Sequence, residues 1–87
     1  MDLATVLVIV TVYVLRSIGV AYRYVGITKD LKDRLERHNG KRNLSTRKFA
    51  PFKLIHQESY PTYQSARLRE KFLKSGAGRK FLDTIES

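Results

Sequence analysis

The chain has no cysteine, no tryptophan, one methionine, two prolines and only eight acidic residues. The lack of cysteine excludes disulfides and any zinc site built on thiolates. So few acids argue against a pair of metal ions caged by several carboxylates. Long hydrophobic runs are also missing. Leu3 to Leu15 is uncharged, but a membrane-spanning helix needs about 20 apolar residues. The start has neither the basic segment nor the small-residue cleavage site of a signal peptide. No stretch is helical with one basic and one broadly apolar face, so no membrane partner is expected and the protein is placed in the cytoplasm. No internal repeat or second domain is visible.

What the chain has in excess is positive charge. Seventeen Lys and Arg stand against eight Asp and Glu, a net charge of +9 on 87 residues. Such a field favours a polyanionic partner, nucleic acid foremost, and fast, salt-sensitive association. A chain of this length makes one small domain that buries about 60–65% of its unfolded surface.

The organising stretch runs from Tyr13 to His38. Thr11 to Arg16 and Ala21 to Ile27 are β-branched and aromatic and read as strands. Gly19 supplies the turn between them. A turn centred on Ile18-Gly19 sets Tyr13 directly opposite Tyr24. Asp30 is a helix N-cap and Asn39-Gly40 a stop. Within that helix Leu31, Arg34, Leu35 and His38 share one arc of about 100°. The bland alternatives are a stacked core pair for the tyrosines and a rim position for Arg34.

Residues 1–10 form an apolar leader or strand extension before a single domain over residues 11–87. Lys41, Arg42, Ser45, Thr46, Arg47 and Lys48 lie in a loop and suit contacts to phosphate, against the alternative of a solvated linker. Phe52 to Glu58 reads as a third strand, with Phe52, Leu54, His56 and Glu58 on one side and Lys53, Ile55 and Gln57 on the other. His56 is expected to be structural or exposed. Thr62 caps a helix over residues 63–74 with Ala66, Leu68, Phe72 and Leu73 on its apolar face. Glu70 sits at the edge of that face, where its ordinary use is an ion pair with Arg67 or Lys74. Arg79 to Ile85, with Phe81, Leu82 and Ile85 on one side, reads as a last short helix. The order is β-β-α-β-α-α, an α+β fold.

Thr11-Val12-Tyr13, Tyr24-Val25-Gly26, Arg34, His38 and Glu70, in that order, resemble the GIY-YIG nuclease family. Arg69 to Leu82 resembles the ending of its small stand-alone bacterial members, and the likeness spans roughly residues 11–85. The resemblance implies a small, mainly antiparallel three-stranded sheet flanked by helices. It implies a metal-dependent endonuclease that hydrolyses DNA phosphodiester bonds, with a role in DNA repair or recombination and with RNA left open. The catalytic set it implies is Tyr13, Tyr24, Arg34, His38 and Glu70, with Glu70 holding Mg2+ or Mn2+. The chain departs from the family in having Thr11 for the first motif's glycine, Val12 for its isoleucine, and Ile27 where some members have lysine. A terminal asparagine has no counterpart among Arg79 to Ile85.

The chemistry agrees with that set. Magnesium keeps several waters, so one carboxylate can hold it. The planar fork of Arg34 suits two phosphate oxygens. A free tyrosine has a pKa near 10 and needs nearby cations to act as a base. Tyr24 is the favoured base and Tyr13 the orienting group, with the roles exchangeable. His38 orients a tyrosine or helps with proton transfer. So small a domain has little surface for base reading, so sequence specificity needs a protein partner or is absent. The alternative function is a catalytically inactive nucleic-acid-binding domain of the same fold.

Overall fold

The computed structural model describes residues 9–86. The elements are β1 (Val10–Ser17), β2 (Arg23–Thr28), α1 (Leu31–Asn39), a single 3-10 turn (Arg47–Phe49), β3 (Phe52–Tyr60), α2 (Tyr63–Leu73) and α3 (Gly76–Glu86). The fold is α+β, in the expected order. Most of the apolar leader lies outside the described residues, but Val10 is buried and already belongs to β1.

The three strands form one antiparallel sheet in the order β2-β1-β3. The central strand is covered on both faces, as its unbroken β-branched run requires. Val10, Val12 and Val14 pack with Val25, Ala66, Leu73 and Leu82 on one face. Tyr13 and Leu15 pack with Phe52, Leu31 and Leu35 on the other. Thus α2 and α3 cover one face of the sheet and α1 covers the other.

The hairpin register differs from the sequence expectation. Tyr13 pairs with Gly26, and Tyr24 with Leu15. The Ser17 N–H donates to the Tyr22 carbonyl at 2.9 Å, so the turn spans residues 18–21 rather than centring on Ile18-Gly19. The slip is two residues, which keeps every side chain on its face because strand side chains alternate with period two.

The third strand also departs from simple alternation. Leu15 pairs with Leu54 and Val14 with His56, so Ile55 is an extra residue in a bulge. Phe52 and Leu54 therefore face Tyr13, while Ile55, His56 and Glu58 face the helix pair. The apolar face of α2 is narrower than the sequence suggests. Ala66 and Leu73 are buried, but Leu68 is 69% exposed. At about 100° per residue Leu68 lies about 200° from Ala66, on the solvent side. In α3 Leu82 is buried, whereas Ile85 sits at the exposed end.

Two features lock the helices to the sheet. A Cβ on Gly78 would stand 2.5 Å from Leu73 Cα, so α3 turns back on the end of α2 only where a side chain is missing. The second is Glu58. Its carboxylate accepts two bonds from Arg69, at 2.8 and 3.0 Å, and further ones from His56 and Tyr60. His56 is thus structural, and its ring meets Phe81 edge-on. Burial alone would raise the Glu58 pKa, but these bonds outweigh it and hold the group at about 2, against an ordinary 4.5.

That carboxylate gives a pH signature. Its contribution, on the order of 3 kcal/mol, is present above about pH 4.5 and is lost as pH falls toward 2. Urea unfolding should show wild type losing this increment across that window while Glu58→Gln changes little there. Parallel pH curves for the two proteins would show that Glu58 is not held in this way.

Candidate active site

The site is built around a missing side chain. Gly26 faces Tyr13 across β1 and β2, and a Cβ there would lie 2.6 Å from Tyr13 Oη and 2.8 Å from Tyr24 Cε2. Glycine at this position lets both rings lie over the strand. Their centroids are 6.0 Å apart, in tilted contact. The tyrosines therefore meet on a diagonal of the ladder, although they are not directly opposed.

Helix α1 brings the next two groups. Asp30 caps it as expected, accepting from the Asp33 N–H at 3.0 Å. Leu31 and Leu35 anchor the helix beside Tyr13, and the same phase turns Arg34 and His38 inward. His38 is fully buried. Its Nε2 lies 3.1 Å from Tyr13 Oη and its Nδ1 lies 2.9 Å from Thr46 Oγ1. Its ring also touches Tyr24, with centroids 4.8 Å apart. After Gly40, Lys41 takes the left-handed conformation, with φ 60°.

These neighbours set the protonation states. Burial pushes the Tyr13 phenol far above its ordinary range; Tyr24 adds to this and Arg34 opposes it. Tyr13 is thus a neutral phenol at neutral pH, a hydrogen-bonding group rather than a base. Burial, with the Arg34 charge, pushes the His38 pKa down, so the imidazole is neutral at pH 7. Asp33 pairs with Arg37 at 3.0 Å. Arg34 has no carboxylate partner among the described residues and remains available to an anion.

The loop after α1 requires a correction. Thr46, expected to contact phosphate, is fully buried and bonded to His38. The Asn43 carbonyl accepts the N–H groups of Thr46 and Arg47, at 3.2 and 3.0 Å, and this turn carries Thr46 inward. A buried imidazole needs a partner at each nitrogen. That requirement, with a hydroxyl eight residues on from His38, is the sequence signal that could have revealed Thr46. Ser45 is exposed, its hydroxyl donating to Asn43 Oδ1 at 2.8 Å. Lys41, Arg42, Arg47 and Lys48 are exposed, without an ion pair among the described residues.

Glu70 is placed differently from the other four. No hydrogen bond, ion pair or ring contact among the described residues joins it to Tyr13, Tyr24, Arg34 or His38. Its Oε2 accepts from Lys74 Nζ at 3.1 Å, the ordinary pairing that its helical spacing allows, and its side chain is 15% exposed. It stands on the flank of α2 away from Arg69. Arg69 reaches β3, so Glu70 faces the free edge of β2, the strand that carries Tyr24. Lys74 in turn acts on Tyr22: burial and Tyr24 raise that phenol while Lys74 lowers it. A cavity of about 510 Å³ opens at this edge, lined by Arg16, Tyr22, Arg23, Lys74 and Arg79 among others.

The donor chemistry limits the metal that could bind. No group of three His, Cys, Asp or Glu side chains among the described residues could cage an ion. Zinc in a closed site does not fit. For a hard divalent ion that keeps most of its waters, Glu70 is the candidate carboxylate, and its Oε2 accepts from Lys74.

Two phenols, a free guanidinium and a neutral imidazole, held by an antiparallel hairpin and the helix after it, define a small nuclease-type domain. The GIY-YIG catalytic domain family matches residues 10–81. The chain belongs to the GIY-YIG nuclease family. Among solved structures it is similar to the UPF0213 protein BH0048 from Bacillus halodurans, determined by solution NMR. The identity is 28% and the TM-score 0.54, over 88% of this chain and 84% of that one. A search of curated proteins finds no match.

Gly26→Ala should force the two tyrosine rings apart and cost about 1–3 kcal/mol, as overpacking does. Chemical unfolding reads the loss, and the ring resonances of His38 should shift as Tyr13 and Tyr24 move. Unchanged His38 resonances in a folded variant would refute this packing.

Proposed function

We propose that the chain is a metal-dependent endonuclease that hydrolyses DNA phosphodiester bonds. The observation that carries this reading is Arg34, free of any carboxylate among the described residues, beside Tyr13, Tyr24 and the neutral His38. Arg34 binds two oxygens of the scissile phosphate through its fork. Tyr24, the less buried side chain, takes a proton from the attacking water as a phenolate and becomes the neutral phenol; Tyr13, fixed by His38, orients that water or the phosphate. The water oxygen bonds to phosphorus, the bond to the leaving oxygen breaks, and the leaving oxygen takes a proton from solvent. Glu70 would hold Mg2+ or Mn2+, which when bound supplies charge neutralisation at the phosphate and the leaving oxygen. Lys41, Arg42, Arg47 and Lys48 bind flanking phosphates. A place in DNA repair or recombination rests on family resemblance alone.

A second reading is a nucleic-acid-binding domain without turnover. The observation that favours it is the Glu70–Lys74 pair on the far side of the β2 edge. Plasmid nicking separates the two. Wild type should nick with magnesium or manganese, and Arg34→Ala and Glu70→Ala should each lose about a hundredfold or more in rate. Binding with no nicking under either metal would favour the second reading.

The loop cations have their own test. Replacing Lys41, Arg42, Arg47 and Lys48 together by alanine should flatten the dependence of log K on log salt by about 0.9 for each duplex phosphate that these cations neutralise. An unchanged slope would place the duplex elsewhere on the surface.

A further inference from the structure

The hydrogen bonds around His38 form a line: Thr46 Oγ1, His38 Nδ1, His38 Nε2, Tyr13 Oη. Thr46, His38 and Tyr13 are all fully buried. Heavy-atom distances alone leave the direction of the protons open, because a neutral imidazole carries one N–H and either hydroxyl can donate or accept. The donors decide it. The Thr46 hydroxyl has one acceptor among the described residues, His38 Nδ1. If Nδ1 carried the proton, the Thr46 hydroxyl hydrogen would be buried with no acceptor, at about 1–3 kcal/mol. If Nε2 carries it, the Thr46 hydroxyl donates to Nδ1, and the one hydrogen left over is that of Tyr13, which has Tyr24 as a further side-chain hydrogen-bond partner where Thr46 has none among the described residues. Tyr13 Oη then accepts from Nε2, and its own hydrogen is free to point away from His38.

We infer that Thr46 is a positioning residue: it donates to His38 Nδ1, holds the imidazole as the Nε2–H tautomer, and so turns the Tyr13 hydroxyl hydrogen toward Tyr24. Tyr13 therefore offers its hydrogen to Tyr24, the less buried phenol, while Arg34 supplies the charge. The kinetic consequence rests on the nuclease reading; the proton order does not.

The test is 15N NMR of the histidine rings in the full chain, at a pH where His38 is neutral, with His56→Gln to assign the signals. Nδ1 should resonate as an unprotonated nitrogen and Nε2 as a protonated one. Thr46→Ser, which keeps the hydroxyl, should preserve that pattern. Thr46→Val, which keeps the shape, should mix the tautomers and lower kcat for plasmid nicking about tenfold with KM unchanged, the scale on which orienting partners act. A protonated Nδ1 in wild type overturns the inference, as does a Thr46→Val spectrum identical to wild type. The wild-type spectrum decides even where Thr46→Val fails to fold. The expected spectra without nicking activity would remove the nuclease reading and leave the proton order standing.

Discussion

The close approach of Tyr13 to the backbone at Gly26 is the constraint on which the site depends. A full-length phenol lies over a neighbouring strand only where that strand lacks a side chain, and a Cβ at this position would be 2.6 Å from the Tyr13 oxygen. The ring fixes the hydroxyl, the hydroxyl meets His38, and His38 ties α1 to the central strand. The register of the hairpin is part of the same constraint. A one-residue slip would turn Tyr13 to the other face of the sheet, under the helix pair.

Ion pairs place part of the charge. On the α2 and α3 side, carboxylates neutralise cations: Glu58 takes Arg69, Glu70 takes Lys74, and Asp83 and Glu86 take Arg23. On the α1 side Asp33 takes Arg37; Arg34 and the four loop cations have no ion pair among the described residues, and the same holds for Arg67, Lys71, Arg79 and Lys80 on the helix pair. The excess of nine positive charges is thus spread over both faces of the sheet, while Glu58, Asp83 and Glu86 are occupied in tying α2 and α3 to the strands.

The fold is largely legible in the sequence because hydrophobic period and turn chemistry agree along the chain. The Asp30 cap, the helical phase of Arg34 and His38, and the element order all follow from local rules. The tyrosine pair survives a wrong register because the error is even. What stays hidden is non-local. The bulge at Ile55 depends on how β3 meets β1, and no alternation pattern marks it. The apolarity of Leu68 suggests the core, but its helical angle turns it to solvent. Thr46 resembles a solvated loop hydroxyl because its burial comes from a backbone turn at Asn43, and the need it meets belongs to a histidine one element earlier.

Glu70 poses a different problem, since its helix lies on the opposite face of the sheet from His38. The direction of its side chain is set by the roll of α2 about its own axis, and two contacts fix that roll. Ala66 and Leu73 form a narrow buried stripe, which by itself would tolerate some rotation. Arg69 removes that freedom, because its two bonds to Glu58 pin one flank of the helix to β3. With Arg69 held there, Glu70, about 100° further round the helix, faces the β2 edge. The Glu58 network is remote from the tyrosines, yet it determines which way the Glu70 carboxylate turns. The direction of Glu70 is therefore set by the packing of α2 and by a salt bridge, Arg69 to Glu58, that includes neither Glu70 nor Arg34.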